Sequence, residues 1–457
     1  MSVPYRLNTA PLSEAVIEKY RASLRGSLIL PDGDAYDEAR KVWNGFIDRR
    51  PALVVYAAGV SDVQQSVRFA REHNLPLGVR GGGHSHPGLS VADGGLLLDL
   101  SRLKGIRVDP TRQRVRAEPG VLWRELDHET QGFGLAVTGS QVSSVGIAGL
   151  TLGGGLGWLM RKYGLTCDSL LSADVVNADG RLLTASAEEN PDLLWGLRGG
   201  GGNFGVVTSF EYQLHPVAGV FGGVIAFPLS AAKAVVRGYR DFVASAPDEL
   251  TTTVAFMTTP DGKRAIGIAL GYVGNPQTGE QVIQPLRRLG PVLREQLGPM
   301  SYTALQSMMD QTTPPGSRLN VRANFMDDLD DSLIDTLADH YGRSPSPRSS
   351  IVILQMGGAV SRVDPQATAF YYRKAGYSLN LFSVWSDPTD DDKNIAWLHG
   401  VWEAIQPFLG EGVYVNVVFD EGPARVRAAY GPAYDRLVGL KQKYDPDNLF
   451  RSNQNIR

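Results

Sequence analysis

The sequence predicts an α+β protein organised as two units, and three observations carry that prediction. Residues 53–56, Leu-Val-Val-Tyr, read as a buried strand; Ser61 then caps a helix with Val63, Val67 and Ala70 on one face, and residues 75–80 resume as strand. This is a small β-α-β unit. Residues 175–184 read as a hairpin, because Asp179-Gly180 supplies the positive φ that a tight two-residue turn needs. From about residue 218 the texture changes, glycine clusters stop, and alternating strands at 251–257, 265–272, 350–356, 377–385 and 413–419 mix with helices near 230–244, 278–289 and 392–407. The predicted organisation is therefore a first unit over 1–217, a second over 218–419, and a tail over 420–457 that returns to the first.

Shorter elements fill the first unit. Strands are expected around 96–100, 105–109 and 113–118, a helix over about 121–131, and a strand from Val206 to Leu214. The tail holds a helix broken by the turn Tyr444-Asp445-Pro446-Asp447-Asn448.

Composition excludes several function classes. A net charge of -3 offers no broad basic surface for phosphate backbones, so neither nucleic acid nor an anionic membrane is an expected partner. No stretch is apolar enough to span a bilayer and the first residues carry no leader pattern, so the protein reads as cytoplasmic, a monomer or homodimer acting on a small molecule. Cys167 is the single cysteine, which rules out an internal disulfide or a multi-cysteine metal site; no metal is expected. Neither H-E-x-x-H nor a P-loop string occurs.

Glycine is the compositional outlier, with 52 residues among 457. It gathers in three clusters: 81–83 before His84, the stretch 139–157, and 198–205. Gly200-x-Gly202-x-x-Gly205 matches the dinucleotide fingerprint by letter, but a Rossmann site needs a helix after the glycines to receive the pyrophosphate. Here Val-Val-Thr-Ser-Phe-Glu-Tyr follows, which is strand. The clusters suit instead loops whose successive N–H groups cradle phosphate without lysine, or simply tight turns. A large phosphate-bearing cofactor is the reading favoured by three clusters together.

Four strings in order narrow this: Val79-Arg-Gly-Gly-Gly-His84-Ser85, Arg161-Lys-Tyr-Gly-Leu165, Arg198-Gly-Gly-Gly-Gly-Asn-Phe-Gly205, and Tyr444-Asp-Pro-Asp-Asn448-Leu-Phe-Arg-Ser-Asn453-Gln-Asn-Ile456. Together they resemble the berberine-bridge-enzyme-like branch of the vanillyl-alcohol oxidase flavoproteins, and in pattern most resemble its bacterial members. The resemblance implies a PCMH-type FAD-binding domain of two α/β subdomains, and a substrate domain whose antiparallel sheet is flanked by helices. It implies FAD bound through the imidazole of His84 to the flavin 8α carbon. A neutral imidazole is a competent nucleophile near pH 7. His86, two positions on, is expected to be an exposed loop histidine.

The resemblance also distributes cofactor contacts. The first cluster supplies Arg80, Gly81, Gly82, Gly83 and Ser85. The second supplies Gly139, Ser143, Gly146, Gly149, Gly153, Gly154 and Gly157; the third supplies Gly205 with Val207 after it, and the tail supplies Asn448 and Asn453. Many relatives carry a second flavin link from a cysteine; Val142 stands there, so one link and no cysteinyl bond is expected, with Cys167 a small buried core residue. Val145 occupies the position that controls oxygen access, and valine there accompanies oxidase behaviour. Leu150 replaces a histidine that supports the ribityl chain in many plant members.

On the substrate side, alternation along 413–419 turns Tyr414, Asn416 and Val418 one way, which makes Tyr414, Asn416 and Gln355 candidate polar groups on the substrate face. Sugar-oxidising relatives place a tyrosine base directly after that asparagine. Val417 stands there, leaving Tyr414, Tyr371 and Tyr372 as substitutes and moving weight towards C–N oxidation, since a neutral amine needs no base. The implied activity is hydride transfer from a small CH–OH or CH–NH substrate to FAD with reoxidation by O2 to hydrogen peroxide. Oxidative cyclisation of a natural product, or a dehydrogenase with another acceptor, is the alternative.

Overall fold

A computed structural model describes residues 12–457. In the first unit a four-stranded sheet runs β1–β2–β4–β3, with β1 at Ser27–Ile29, β2 at Leu53–Tyr56, β3 at Leu77–Arg80 and β4 at Leu96–Asp99. Both β2 and β3 lie parallel to β4, so the predicted β-α-β unit flanks a strand that arrives later in the chain. Its helix, Val60–Glu72, buries Val63, Val67 and Ala70 as expected. Ser61 does not cap it. Gly59 is the N-cap residue, and the neighbouring turn is closed by the buried Asp62 carboxylate, which accepts from the N–H groups of Ala58, Arg25 and Gly26. A carboxylate also suits the positive end of the helix.

The second sheet of the unit orders β5–β6–β10–β8–β9, with β5 at Ile106–Asp109, β6 at Arg114–Ala117, β8 at Leu170–Val176, β9 at Leu182–Ala185 and β10 at Val206–Gln213. A short pair joins β7 (Leu135–Ala136) to β11 (His215–Pro216). The hairpin β8–β9 is present, but its turn is one residue longer than predicted. Only Gly180 takes a positive φ, +70°, and the Asn177 N–H donates to Arg181 O across residues 178–180. The Asn177 side chain folds back to accept from the N–H groups of Asp179 and Arg181, which a two-residue turn has no room for.

The remaining seven strands form one antiparallel sheet, β15–β12–β14–β13–β17–β18–β16. They are β12 (Val220–Pro228), β13 (Leu250–Thr258), β14 (Arg264–Tyr272), β15 (Arg294–Met300), β16 (Arg318–Met326), β17 (Ser350–Gln355) and β18 (Tyr377–Trp385). Helices Ala232–Val243, Asp331–Tyr341 and Asp391–Ile405 cover one face through Val235, Tyr239, Leu337, Leu398 and Val401, packed on Val254, Phe256, Ile266, Ile268, Leu379 and Leu381. Such a helix-on-sheet layer leaves the opposite face free to meet the first unit. The α+β class is as predicted.

The strand expected at 413–419 is absent. That segment forms a single 3-10 turn, Val415–Val417, threaded through the core of the first unit, with Val413, Tyr414, Val415, Val417 and Val418 all buried. Burial on every side removes the two-faced environment that alternation presumes. No helix among the described residues is long and apolar enough to cross a membrane.

Candidate functional site

Two glycine loops meet at His84. Gly82 and Gly146 pack backbone to backbone: a Cβ on Gly82 would lie 2.4 Å from the Gly146 nitrogen, and one on Gly146 2.5 Å from the Gly82 nitrogen. Past that contact Gly83, at φ +70°, swings the chain so that the His84 ring stacks on Trp43 with centroids 4.9 Å apart and faces Ser144, whose Oγ lies 3.2 Å from Nε2. Burial pushes the imidazole pKa down to about 4, so the ring is neutral near pH 7.

The second loop is gripped at both ends. Backbone N–H groups of Trp123 and Arg124, opening the Trp123–Gln131 helix, donate to Val145 O and Ser143 O at 3.0 and 2.9 Å. From the far side, the Asp310 carboxylate accepts from Ser143 N–H at 2.8 Å and Ser143 Oγ–H at 2.6 Å. Val145 is partly buried against the core.

The arrangement fits a phosphate-bearing cofactor such as FAD. Among the described residues, no N–H from Gly81 to His86 donates to a protein acceptor, which leaves a run of donors free for a phosphate-bearing group. Gly149 is exposed, with nothing within 4 Å of where its Cβ would stand. Two expected contacts change character. The Arg80 guanidinium turns away from the loop, held by Asp99 and the carbonyls of Ala39 and Lys41, so it anchors the strand and is not free for phosphate. Val207 is packed in the core beside Val175, and the Ser85 hydroxyl accepts from Leu89 N–H.

The remaining glycines bring chain segments together. A Cβ on Gly139 would meet Trp123 and Gln306, and one on Gly157 would lie 2.0 Å from Gly139 O. The third cluster is a platform for the tail: Asn203 donates to Gly200 O and Gln454 O and accepts from Ile456 N–H, while Asn453 donates to Gly202 O and Phe450 O. Gly205 runs directly into the strand β10, not into a helix, which excludes the Rossmann reading. Asn448 adopts φ +52° in the turn that ends the last helix.

Opposite His84 stands the uncovered face of the large sheet. Gln141 donates to Thr253 Oγ1 on β13 at 2.9 Å, and the His86 ring meets Phe382 on β18 edge-on at 6.0 Å. Thr253 shares a cross-strand row with Leu354 and Ser378, whereas Phe382 pairs with Ser350 and Val321. Between them runs the row Ala255, Val352, Asn380 and Ala323. Ala255, Met257, Val352 and Phe382 are half-buried although their strands are interior to the sheet, so a gap separates this face from the histidine loop. None of these residues is ionisable. Asn380 is the amide in the central row, with Nδ2 turned to Ser378 and Oδ1 unbonded within the described chain. Cross-strand register, which sequence does not display, is what brings these side chains together.

His86 is not the exposed loop residue that was expected. Its ring sits between Trp43 and Phe382, Nδ1 is buried without a partner, and burial pushes its pKa down to about 4. Gln355 faces the wrong way for a substrate group: it accepts from Thr252 Oγ1 and donates to Val243 O beneath the helices. Tyr414 and Asn416 lie against the second glycine loop, with Gly155 N–H and Asn416 Nδ2 both donating to the Tyr414 hydroxyl and Asn416 also donating to Leu150 O. Burial raises the Tyr414 phenol to about 12, which makes it a poor base, and the Tyr372 hydroxyl is occupied by Ala428 O. Cys167 is fully buried and burial pushes its thiol up.

These features match known proteins along the whole chain. A model of FAD-binding domains matches residues 51–186, and a model of berberine and berberine-like proteins matches residues 413–457. An FAD-linked oxidoreductase of Dictyostelium discoideum is 31% identical over 449 residues, covering 97% of each chain. The (R)-6-hydroxynicotine oxidase of Paenarthrobacter nicotinovorans is 30% identical, covering 95% of this chain and 97% of its own. Among solved structures, 6-hydroxy-D-nicotine oxidase from Arthrobacter nicotinovorans superposes with a TM-score of 0.89 at 27% identity, over 98% of this chain and 100% of that one. Berberine bridge enzyme from Eschscholzia californica shares the fold at 21% identity, with a TM-score of 0.87 over 96% and 98%. The chain thus belongs to the berberine-bridge-enzyme-like branch of the FAD-linked oxidoreductases.

Proposed function

We propose that this protein is an oxidase that carries FAD on His84 and takes a hydride from an uncharged small molecule, at a carbon bearing nitrogen or oxygen, with O2 as the final acceptor. The observation that carries the reading is the position of His84: half-buried, neutral, stacked on Trp43, and opening onto the gap before the sheet. Attachment exchanges one imidazole N–H and one C–H at the flavin 8α carbon for an N–C bond, and the released protons and electron pair pass to O2 as hydrogen peroxide. Once bound, FAD supplies the two-electron acceptor, and the protein supplies orientation and exclusion.

The gap defines the substrate side. Apolar Ala255, Met257, Val352 and Phe382 favour a flat or aliphatic body, and Asn380 offers a hydrogen bond to orient it. His86, a weak base with pKa about 4, orients rather than accepts a proton. With no tyrosine or carboxylate in these rows, an amine donor in its neutral form is favoured over an alcohol or sugar, which needs a base. The relative that oxidises 6-hydroxynicotine supports a nitrogen-bearing substrate. Val145 leaves the oxygen path open.

The test has two parts. Acid-precipitated protein should stay yellow, and His84→Ala should release its flavin under the same treatment; free flavin from the unmutated protein rules out the bond. Anaerobic mixing with amines, sugars and phenolics should bleach the flavin fastest with apolar amines, and readmitted air should yield peroxide. Faster reduction by sugars overturns the substrate assignment.

A further inference from the structure

The segment 142–145 is held from outside its own unit, and what it holds in turn is His84. Asp310, from the chain between β15 and β16, places both carboxylate oxygens on Ser143, one on the backbone N–H and one on the hydroxyl. The next residue, Ser144, is the hydrogen-bond partner of His84 Nε2. A neutral imidazole has one proton to place, and the partner of one nitrogen decides which nitrogen keeps its lone pair.

We propose that Ser144 and Asp310 are positioning residues for flavin attachment: Ser144 engages Nε2 so that the bond forms through Nδ1, and Asp310 fixes Ser143 so that Ser144 stays within reach. The inference rests on the covalent reading above. Its chemistry turns on a property of the hydroxyl. Before attachment Nε2 carries the proton and Ser144 Oγ accepts it; once Nδ1 bonds to carbon, that proton leaves and Nε2 becomes an acceptor to which Ser144 O–H donates. A hydroxyl does both in one place, whereas an alanine does neither. The second proton comes from the 8α carbon, and O2 takes the electron pair, as in turnover.

Asp310 adds what a serine alone lacks. Two charge-assisted bonds to one residue fix it against rotation as well as displacement. The segment is thereby strung between the helix N-terminus at Trp123 and Arg124 and a carboxylate from the other side. Loss of the carboxylate frees the Ser143 hydroxyl and lengthens the reach from Ser144 to His84.

The experiment measures acid-stable flavin per protein in the unmutated chain and in Ser144→Ala, Ser144→Thr, Ser143→Ala, Asp310→Ala and Asp310→Asn, with NMR of the isolated flavin peptide to identify the alkylated nitrogen. Expected are linkage at Nδ1, a several-fold loss of attached flavin in Ser144→Ala and Asp310→Ala, and recovery in Ser144→Thr. Asp310→Asn keeps one acceptor oxygen and should lie between; with Ser143→Ala it decides the case if Asp310→Ala does not fold. Attachment through Nε2, or full attachment in both alanine variants even with a lowered melting point, overturns the inference and leaves the His84 bond standing. Flavin released from the unmutated protein overturns both.

Discussion

At the scale of single residues, Val145 and His86 each carry a measurable consequence. Val145 is half-buried in the segment that meets His84, and on the proposed reading a longer side chain there should narrow the approach to the cofactor. Val145→Leu and Val145→Ile should slow reoxidation by O2 and leave anaerobic reduction by substrate nearly unchanged, which a two-step stopped-flow measurement separates. His86 makes stability depend on pH. Its folded pKa of about 4 lies below the ordinary 6.5, so the unfolded chain takes the proton first as pH falls. The contribution is complete above about pH 6.5 and lost on the way down to about 4, amounting to about 3 kcal/mol at most. Buried Asp127, whose carboxyl is pushed up, titrates in the opposite sense, so the comparison must be differential. Urea midpoints from pH 7 to 4.5 should fall less steeply in His86→Gln than in the unmutated protein; parallel curves would dissociate the slope from His86.

At the scale of elements, the contact between the glycine loops is the most exacting feature. Gly82→Ala places a methyl 2.4 Å from the Gly146 nitrogen and 2.6 Å from its Cα, backbone atoms that cannot rotate away. The loops must part, at a cost of about 1–3 kcal/mol, and Ser144 moves off His84. Gly82→Ala should purify with little flavin, which the ratio of visible to ultraviolet absorbance reads directly; full occupancy would show that the loops can separate harmlessly. Much at this scale was legible. The strands 53–56, 96–100 and 377–385 and the Trp123–Gln131 helix follow from periodicity, and the strand after Gly205 excluded a Rossmann site for a physical reason. What failed did so where burial is not two-sided. Val413 to Val418 alternates like a strand but is enclosed on all sides. Three strands gave little signal: β12 is interrupted by Gly222-Gly223, β15 is an edge that opens on exposed Arg-Glu-Gln and contains Gly298-Pro299, and β16 carries Arg318, Asn320, Arg322 and Asn324 among its apolar positions. His84 was found through its string of neighbours, whereas Asn380, Asp310 and Ser144 carry no local pattern and emerge only from register and tertiary contact.

At the scale of the whole molecule, the site exists only where the histidine loop and the large sheet are held together, and the Asn44 amide bonds to both. It is fully buried; Nδ2 donates to His86 O at 2.7 Å and to Leu319 O at 3.0 Å, while Oδ1 accepts from Leu319 N–H and Phe46 N–H. One amide thus ties the loop bearing His84 and His86 to β16 at the rim of the gap. Asp would keep the acceptor and lose both donors, and Ala would leave four backbone groups unpaired, at about 1–3 kcal/mol for each that water cannot reach. Asn44→Ala should therefore lower the urea midpoint markedly. In the fraction that folds, flavin should still attach, because Ser144 and Asp310 are untouched, but substrate should be held less tightly and reduce the flavin more slowly, since the sheet face no longer keeps its distance from the loop. Attached flavin, anaerobic reduction rate and apparent substrate affinity, measured on one preparation, separate these effects. Asn44→Ala with normal stability and normal reduction would show that other contacts with the sheet, among them Gln141 of the second glycine loop on Thr253, His86 on Phe382 and Gly45 N–H on Ser317 O, suffice to hold the gap.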